Sequence, residues 1–388
     1  MTTSGDAVRM NSPMRIIIAF GTRPEFIKLA PVVFEIRRHP EHFEPVLVAT
    51  AQHRDMLDQM MDVFGLEPDI DLNLMTPNQT LGSLTGKVLK SLQGVFRKVR
   101  PGLLMIQGDT TTAMASALAA FYQEIPVAHI EAGLRTGDSR NPFPEEINRR
   151  IISLVADLHF APTPAAGRNL RREGIRADRI FVTGNTVVDA LRHMSAGLGK
   201  IPLPLIPGTN RKLILVTAHR RENFGQPLEN ICLALRDLHE KFEDIEIVYP
   251  VHPNPQVGPV TRKILGGLPR VHLIRPLDYL SFLRLMKESF MILTDSGGIQ
   301  EEAPAFGKPV LVLRKVTERP EGVRAGASRI VPPGRRIIVR EAARLLTRPD
   351  AYRRMARARN PYGDGQASRR IAAALEAFSR SKSEPGPA

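Results

Sequence analysis

Apolar residues in this chain come in short blocks rich in β-branched side chains, each followed by a longer stretch with helical spacing. In the first half the blocks are RIIIAF (15–20), PVLVAT (45–50), LLMIQG (103–108), IPVAHIE (125–131), DLHFAP (157–162) and RIFVTGN (179–185). In the second half they are KLILVTAH (212–219), IEIVYPV (245–251), VHLIRP (271–276), FMILTDS (290–296), KPVLVLR (308–314) and SRIVPP (328–333). Blocks apolar on both faces and separated by helices predict parallel strands covered on both sides. Two sets of six predict an α/β chain of two doubly wound, Rossmann-like domains. A chain of 388 residues is too long for one ordinary core, which agrees with that division. Between the sets, 193–210 (HMSAGLGKIPLPLIPGTN) is rich in Pro and Gly and reads as a linker. No repeat with a period of 20–50 residues is visible.

In an open parallel sheet ligands bind beyond the carboxyl ends of the strands. The polar residues standing just after each block are therefore the informative ones. The first block runs into Gly21-Thr22-Arg23-Pro24-Glu25, where Thr22 and Glu25 fit a capping box and Pro24 suits the first helical turn. A helix N-terminus attracts anions, and Arg23 and Lys28 add full charges. The spacing G-x-G-x-x-G is absent, so a phosphate here is not held in the manner of a nicotinamide dinucleotide. A salt-bridged surface turn fits this stretch equally well.

Asp109 ends the third block ahead of three threonines and an alanine-rich helix, as a helix cap or as a reactive carboxylate. Glu131 ends the fourth, and the loop after it carries Arg135, Asp138, Arg140, Glu145 and Glu146. Carboxylates at neighbouring strand ends push their pKa values apart, which suits acid/base work; a divalent metal is the competing use. In the second half His219, Arg220, Arg221 and Glu222 repeat the arrangement of cations at a helix start, and His252 stands at the next strand end as a structural or peripheral residue. Ser296-Gly297-Gly298 lets backbone approach a ligand at a helix start, which suits a diphosphate. One of Glu301 and Glu302 would then reach two vicinal ribose hydroxyls, and Arg319 follows the next strand as a phosphate partner.

Composition narrows the classes. With 43% hydrophobic and 24% charged residues the chain reads as globular, and it has no run of 18 apolar residues to span a membrane. One cysteine, Cys232, excludes an intrachain disulfide and a Cys-rich metal site; with no secretion leader at the N-terminus, a cytoplasmic setting is expected. The net charge of +14 raises the question of nucleic acid. Residues 335–388 hold thirteen Lys/Arg against five Asp/Glu, so +8 of it lies there, on helices whose Leu and Ala face inward. With few aromatics to stack bases, that stretch reads as a solvated surface, and no nucleic-acid partner is expected.

FGTRPEFIKLAP, AQHRDMLDQM, GDTTTAMASALAAFY, HIEAGLRTGD, PEEINRR, GNTVVDAL, VTAHRRENFG, YPVHPNP, DSGGIQEEAP and NPYGDGQA together resemble the non-hydrolysing UDP-N-acetylglucosamine 2-epimerases of bacteria, over about residues 14–379. The resemblance implies two Rossmann-like domains facing a cleft, the glycosyltransferase-B arrangement. Their bounds would be 14–195 and 196–364, with a helix at about 365–380 returning to the first. It implies a homodimer that interconverts UDP-GlcNAc and UDP-ManNAc for surface polysaccharide, releasing and re-adding UDP through 2-acetamidoglucal. By motif, Asp109, Glu131, Glu145 and His219 would be catalytic. Arg23, Lys28, Ser296, Gly297, Gly298 and Arg319 would address the phosphates, Glu302 the ribose and Phe282 the uracil. No metal and no cofactor is implied. Gln52, Arg220 and His252 would be candidates for an activating second-substrate site near Glu145. Asp55 stands where regulated relatives carry glutamine, and TPNQT (76–80) lacks their arginine. A UDP-sugar-dependent glycosyltransferase is the alternative on the same fold, and a hydrolysing epimerase would usually bring a kinase domain that this chain lacks.

Overall fold

The structure, a computed structural model, describes residues 12–50, 54–76, 79–203 and 211–383. It divides into two compact units, Met1–Ala190 with Gly363–Ala388, and Leu191–Tyr362.

Unit 1 is built on a parallel sheet of β1 (Met14–Phe20), β2 (Phe43–Ala49), β3 (Ile70–Asp71), β4 (Leu103–Gln107), β5 (Val127–Ile130), β6 (Leu158–Ala161) and β7 (Ile180–Val182). Their order is β3-β2-β1-β4-β5-β6-β7. Ile16, Ile17 and Ile18 are fully buried, as are Leu103 to Ile106, because helices cover both faces. The sheet has seven strands where the apolar blocks predict six. The extra one, β3, is a two-residue edge strand paired only with Val48 and Ala49. It has no β-branched run of its own, so nothing in its composition announces it.

Unit 2 repeats the plan with β8 (Lys212–Thr217), β9 (Ile245–Pro250), β10 (Val271–Ile274), β11 (Met291–Thr294), β12 (Val310–Val312) and β13 (Ser328–Ile330), in the order β10-β9-β8-β11-β12-β13. In both sheets the order reverses beside the first strand, between β1 and β4 and between β8 and β11. Adjacent crossover helices lie on opposite faces there, which opens a crevice at the carboxyl ends of the strands.

The stretch expected as a linker is partly regular. The helix Thr186–Ser195 enters it and a 3₁₀ turn follows at Leu198–Lys200. Lys287 Nζ donates to the Ser195 carbonyl at 3.3 Å and Arg284 Nη1 to that of Leu198 at 3.1 Å. Basic side chains from elsewhere in unit 2 thus satisfy the orphan carbonyls that end these turns. Residues 204–210 lie outside the described residues.

The last helix, Ala367–Ser383, belongs to unit 1 and packs on the helix Arg23–Ile36. Asp189 accepts from the Ala367 and Ser368 amides at 3.2 and 2.8 Å, and Ile371 and Leu375 are fully buried. In the arginine-rich helix Arg335–Thr347 of unit 2, Ile338, Ala342 and Leu345 face the core while Arg336 and Arg340 are exposed.

Candidate active site

At the switch point of unit 1, β1 ends in Gly21, where an added Cβ would lie 2.5 Å from Thr50 Oγ1. Thr22 caps the next helix and Glu25 completes the capping box. Glu25 is buried: its Oε2 accepts from the Gly21 and Thr22 amides at 2.9 and 2.7 Å, and its Oε1 from Thr110 Oγ1 at 2.6 Å. Burial raises its pKa against these bonds. Glu25 therefore ties the turn after β1 to the turn after β4, and Arg23 and Lys28 rise from the helix it anchors.

The three carboxylates singled out in the first half all reach this edge. Gln107 pairs with Ile130 in the sheet, so Asp109 and Glu131 stand just past neighbouring strand ends. Arg149 holds Asp109 Oδ2 through Nε at 2.8 Å and Nη2 at 2.7 Å, and Asn148 Nδ2 donates to the Asp109 carbonyl at 2.9 Å. Glu131 is paired with Lys28 and accepts from Gln107 Nε2 at 3.0 Å. Its backbone is left-handed (φ 67°), a strained state for a non-glycine residue that aims the side chain off the strand end. Glu145 opens the helix Glu145–Val155, and its Oε2 is buried with no hydrogen-bond partner among the described residues.

Other residues of the 131–150 loop hold it in shape. Glu146 is fully buried; burial opposes its charge, but the Thr136 amide, Arg149 and the Gly137 amide outweigh that and hold its pKa below the usual range. Arg135 pairs with Glu173 at 2.7 Å, and Asp138 caps the turn through the Arg140 amide at 2.9 Å. His129 is buried beneath the site with Nε2 at 2.7 Å from the Gly108 carbonyl; burial lowers its pKa to about 3, so it is a neutral strut. Among the described residues no three His, Cys, Asp or Glu side chains converge as a metal site requires. A cavity of about 980 Å³ beside Met14, Gly102, Pro126 and Glu376 opens at the amino ends of the strands, and none of these carboxylates lines it.

In unit 2 four neighbouring strand ends supply the site. Ser296 follows β11 and starts the helix Gly297–Glu302, with its amide donating to Thr294 Oγ1 at 3.0 Å. Arg220, after β8, reaches over Gly297: a Cβ there would lie 3.6 Å from Arg220 Nη2. His219 is stacked on His252, with ring centroids 4.9 Å apart and planes 8° apart. Asp295, fully buried, accepts from the His219 and Arg220 amides, each at 2.9 Å. After β12, Arg319 is paired with the buried Glu301. Glu302 accepts from Tyr279 Oη at 3.0 Å, and Phe282 lies half-buried on the same helix as that tyrosine, Tyr279–Glu288.

The sequence model of the UDP-N-acetylglucosamine 2-epimerase family matches residues 35–376. The UDP-N-acetylglucosamine 2-epimerase of Bacillus subtilis is 51% identical over 358 residues, covering 92% of this chain and 94% of that one. The chain belongs to the UDP-N-acetylglucosamine 2-epimerase family. This makes it an isomerase. The UDP-GlcNAc 2-epimerase of Neisseria meningitidis, solved with UDP-GlcNAc bound, superposes with a TM-score of 0.85 at 46% identity, covering 93% of this chain and 99% of that one. A kitacinnamycin glycosyltransferase (TM-score 0.65, 13% identity, 94% and 99% covered) shares the fold alone.

For this family member, sequence reasoning placed the strand-end residues but missed what supports them. Asp295, Arg149, Gln107, Tyr279 and Arg314 were given no role, although Asp295 and Arg149 lie inside motifs already quoted. Gln52 lies outside the described residues, and of Asp55 only the helix Arg54–Phe64 that contains it is described. Arg220 stands over the Ser296 loop, and His252 against His219.

Arg314 is buried between Glu222 and Glu318, at 2.5 Å from each, and Arg220 reaches Glu318 at 3.3 Å. Burial works against the Glu318 charge, but Arg314 and then Arg220 outweigh it and draw the pKa down from 4.5 to about 2. A depressed carboxylate contributes stability that is complete above its unfolded pKa and is lost as pH falls toward the folded one. Glu318→Gln should therefore melt below the parent at about pH 7, with the gap closing between about pH 4.5 and about pH 2. Melting temperatures across that range check this; a constant gap would contradict it.

Proposed function

We propose that the chain epimerises UDP-GlcNAc and UDP-ManNAc at C2 by eliminating UDP to 2-acetamidoglucal and adding it back to the other face, in the cytoplasm, as a source of ManNAc units for surface polysaccharide. The observation that carries the mechanism is the pair Asp109 and Glu131, anchored at adjacent strand ends by Arg149 and Lys28. An unactivated C2 proton can be removed only as the C1–oxygen bond breaks, so one carboxylate takes the proton as UDP departs. On re-addition a carboxylate returns a proton from the opposite face. Glu145, with a buried oxygen that no hydrogen bond among the described residues satisfies, is suited to hold such a proton.

Unit 2 carries the nucleotide in this reading. Ser296, Gly297 and Gly298 give amides to the diphosphate, and Glu302 takes the ribose hydroxyls beside Phe282. His219 and Arg319 offset the charge that grows on departing UDP. The reaction draws on neither a nicotinamide nor a metal. A cytoplasmic setting suits a chain whose sole cysteine, Cys232, is buried with its thiol pKa pushed up to about 12.

The test is incubation with UDP-GlcNAc alone in D2O, with EDTA, followed by proton NMR. UDP-ManNAc should appear carrying deuterium at C2, and recovered UDP-GlcNAc should carry it too. Retention of protium at C2 would sink the elimination. Turnover only with an added acceptor would make the chain a glycosyltransferase, and turnover restored only by magnesium would recast the carboxylates as ligands.

We also propose that unit 1 pairs with a second copy of itself. Ile147 and Leu154, seven residues apart on one face of the helix Glu145–Val155, are 38% and 79% exposed. The helix Thr111–Phe121 packs beside it in parallel and ends in Phe121, with Tyr122 next, 55% and 60% exposed. A two-fold contact buries such a patch against itself. Leu154→Glu should shift the sedimentation coefficient from dimer to monomer; an unchanged coefficient would remove this face as the interface.

A further inference from the structure

Asp295 follows β11 and is fully buried, yet the structure uses only one of its oxygens. Oδ2 accepts three bonds at 2.9 Å, from the His219 and Arg220 amides and from Asn223 Nδ2. Oδ1 has no hydrogen-bond partner among the described residues and faces His219 Nδ1 at 3.7 Å. A buried carboxylate oxygen left without a donor is costly. An asparagine would accept from the same backbone amides, so holding the loop does not by itself call for a charge. What the charge meets is the imidazole, within about 1 Å of hydrogen-bond range.

The surroundings fix that ring. His252, after β9, stacks on its face, and His252 Nδ1 accepts the Asn254 amide at 3.1 Å, which sets the second ring's orientation. Beneath, the buried Tyr249 hydroxyl donates to the Ala218 carbonyl at 2.7 Å. The charged and titratable groups facing His219 are thus Asp295, His252 and Arg220, with Tyr249 held under the strand end. With Nδ1 turned to Asp295, Nε2 is the nitrogen left for a ligand.

We propose that Asp295 is a positioning residue that keeps a proton on His219 Nδ1 and so presents Nε2 to the UDP diphosphate. This rests on the reading that UDP binds at this strand end. Burial lowers the His219 pKa, Asp295 raises it, and His252 and Arg220 lower it again, with the net shift downward. The downward shift keeps the ring neutral near pH 7, and the facing Asp295 oxygen favours its proton on Nδ1. An arriving diphosphate adds negative charge at Nε2, where a second proton is then stabilised, so UDP binding takes up a proton. The resulting imidazolium lies between Asp295 and the leaving group, as in other Asp–His pairs that steady a charged ring.

Nitrogen NMR of the intact protein, labelled in its histidine rings, tests this with and without UDP. The free protein should show His219 as the Nδ1–H tautomer, and the UDP complex should show both nitrogens protonated. In Asp295→Asn the His219 midpoint should fall by about one unit or more, since among the described residues the carboxylate is the one group raising it. Proton uptake on UDP binding, read by calorimetry in two buffers of different ionisation enthalpy, should shrink, and affinity should drop about tenfold. An Nε2–H tautomer in the parent would overturn the proposal, as would an unchanged midpoint in a folded Asp295→Asn. Should that variant not fold, the parent's tautomer decides alone. None of these readouts needs turnover: a parent that shows the tautomer and the uptake but no epimerisation would cost the reaction and leave the pair standing.

Discussion

Asp109→Asn is expected to cut epimerisation of UDP-GlcNAc by about 10³-fold while UDP affinity stays within about threefold, since positioned acid/base groups contribute about 10²–10⁴. Asparagine keeps the shape of the side chain and offers Arg149 an oxygen in place of the one it now holds at 2.7 Å. Arg149 also retains Glu146 at 3.1 Å, so the buried guanidinium is not stranded and the loop should stay in place. What is lost is the ability to take a proton, which matters only as the sugar reacts. Initial rates by NMR and UDP titration by calorimetry measure the two effects separately. A variant that loses UDP as badly as it loses turnover would show Asp109 to be a nucleotide contact and break the division of labour proposed for the two units.

Glu302→Ala should do the reverse, weakening UDP by about 10²–10³-fold through loss of charge-assisted bonds worth about 1.5–3 kcal/mol each. Tyr279 Oη donates to Glu302 Oε1 at 3.0 Å, which orients the carboxylate before any ligand arrives. A second nucleotide sharpens the test. 2′-Deoxy-UDP should bind the parent much more weakly than UDP does, but the alanine variant should no longer tell the two apart. If discrimination survived in Glu302→Ala, the ribose would be read by another residue.

Both predictions use strand-end residues, and these were the legible part of the chain. Runs such as RIIIAF and FMILTDS mark strands buried on both faces, and parallel topology sends every carboxyl end to one edge. Asp109, Glu131, His219 and Ser296 followed from that rule before any likeness to a family was drawn. Their partners did not, because periodicity says where a side chain leaves a strand and not which neighbour meets it. Glu25 meets Thr110 across 85 residues only because β1 lies beside β4. Arg149 stands beside Arg150 in PEEINRR with nothing in the sequence to tell the two apart, yet it turns inward to Asp109. Asp295 stands two residues before a glycine pair whose bare backbone is the stronger signal in the sequence. Arg319, expected as a phosphate partner, also has a buried anion beside it in Glu301, and β3 is too short to carry a pattern.

The last helix has a consequence for the newborn protein. Ile371 and Leu375 complete the packing of unit 1 on the helix Arg23–Ile36, but the ribosome delivers them only after all of Leu191–Tyr362 has been made. At cellular rates of about 5–20 residues per second, unit 1 waits on the order of ten to thirty seconds with that apolar face open. Unit 2, contiguous in the chain, can close its core in the meantime. The half of the molecule translated first is therefore the half finished last, and its uncovered helix is the surface a chaperone would meet at the tunnel exit.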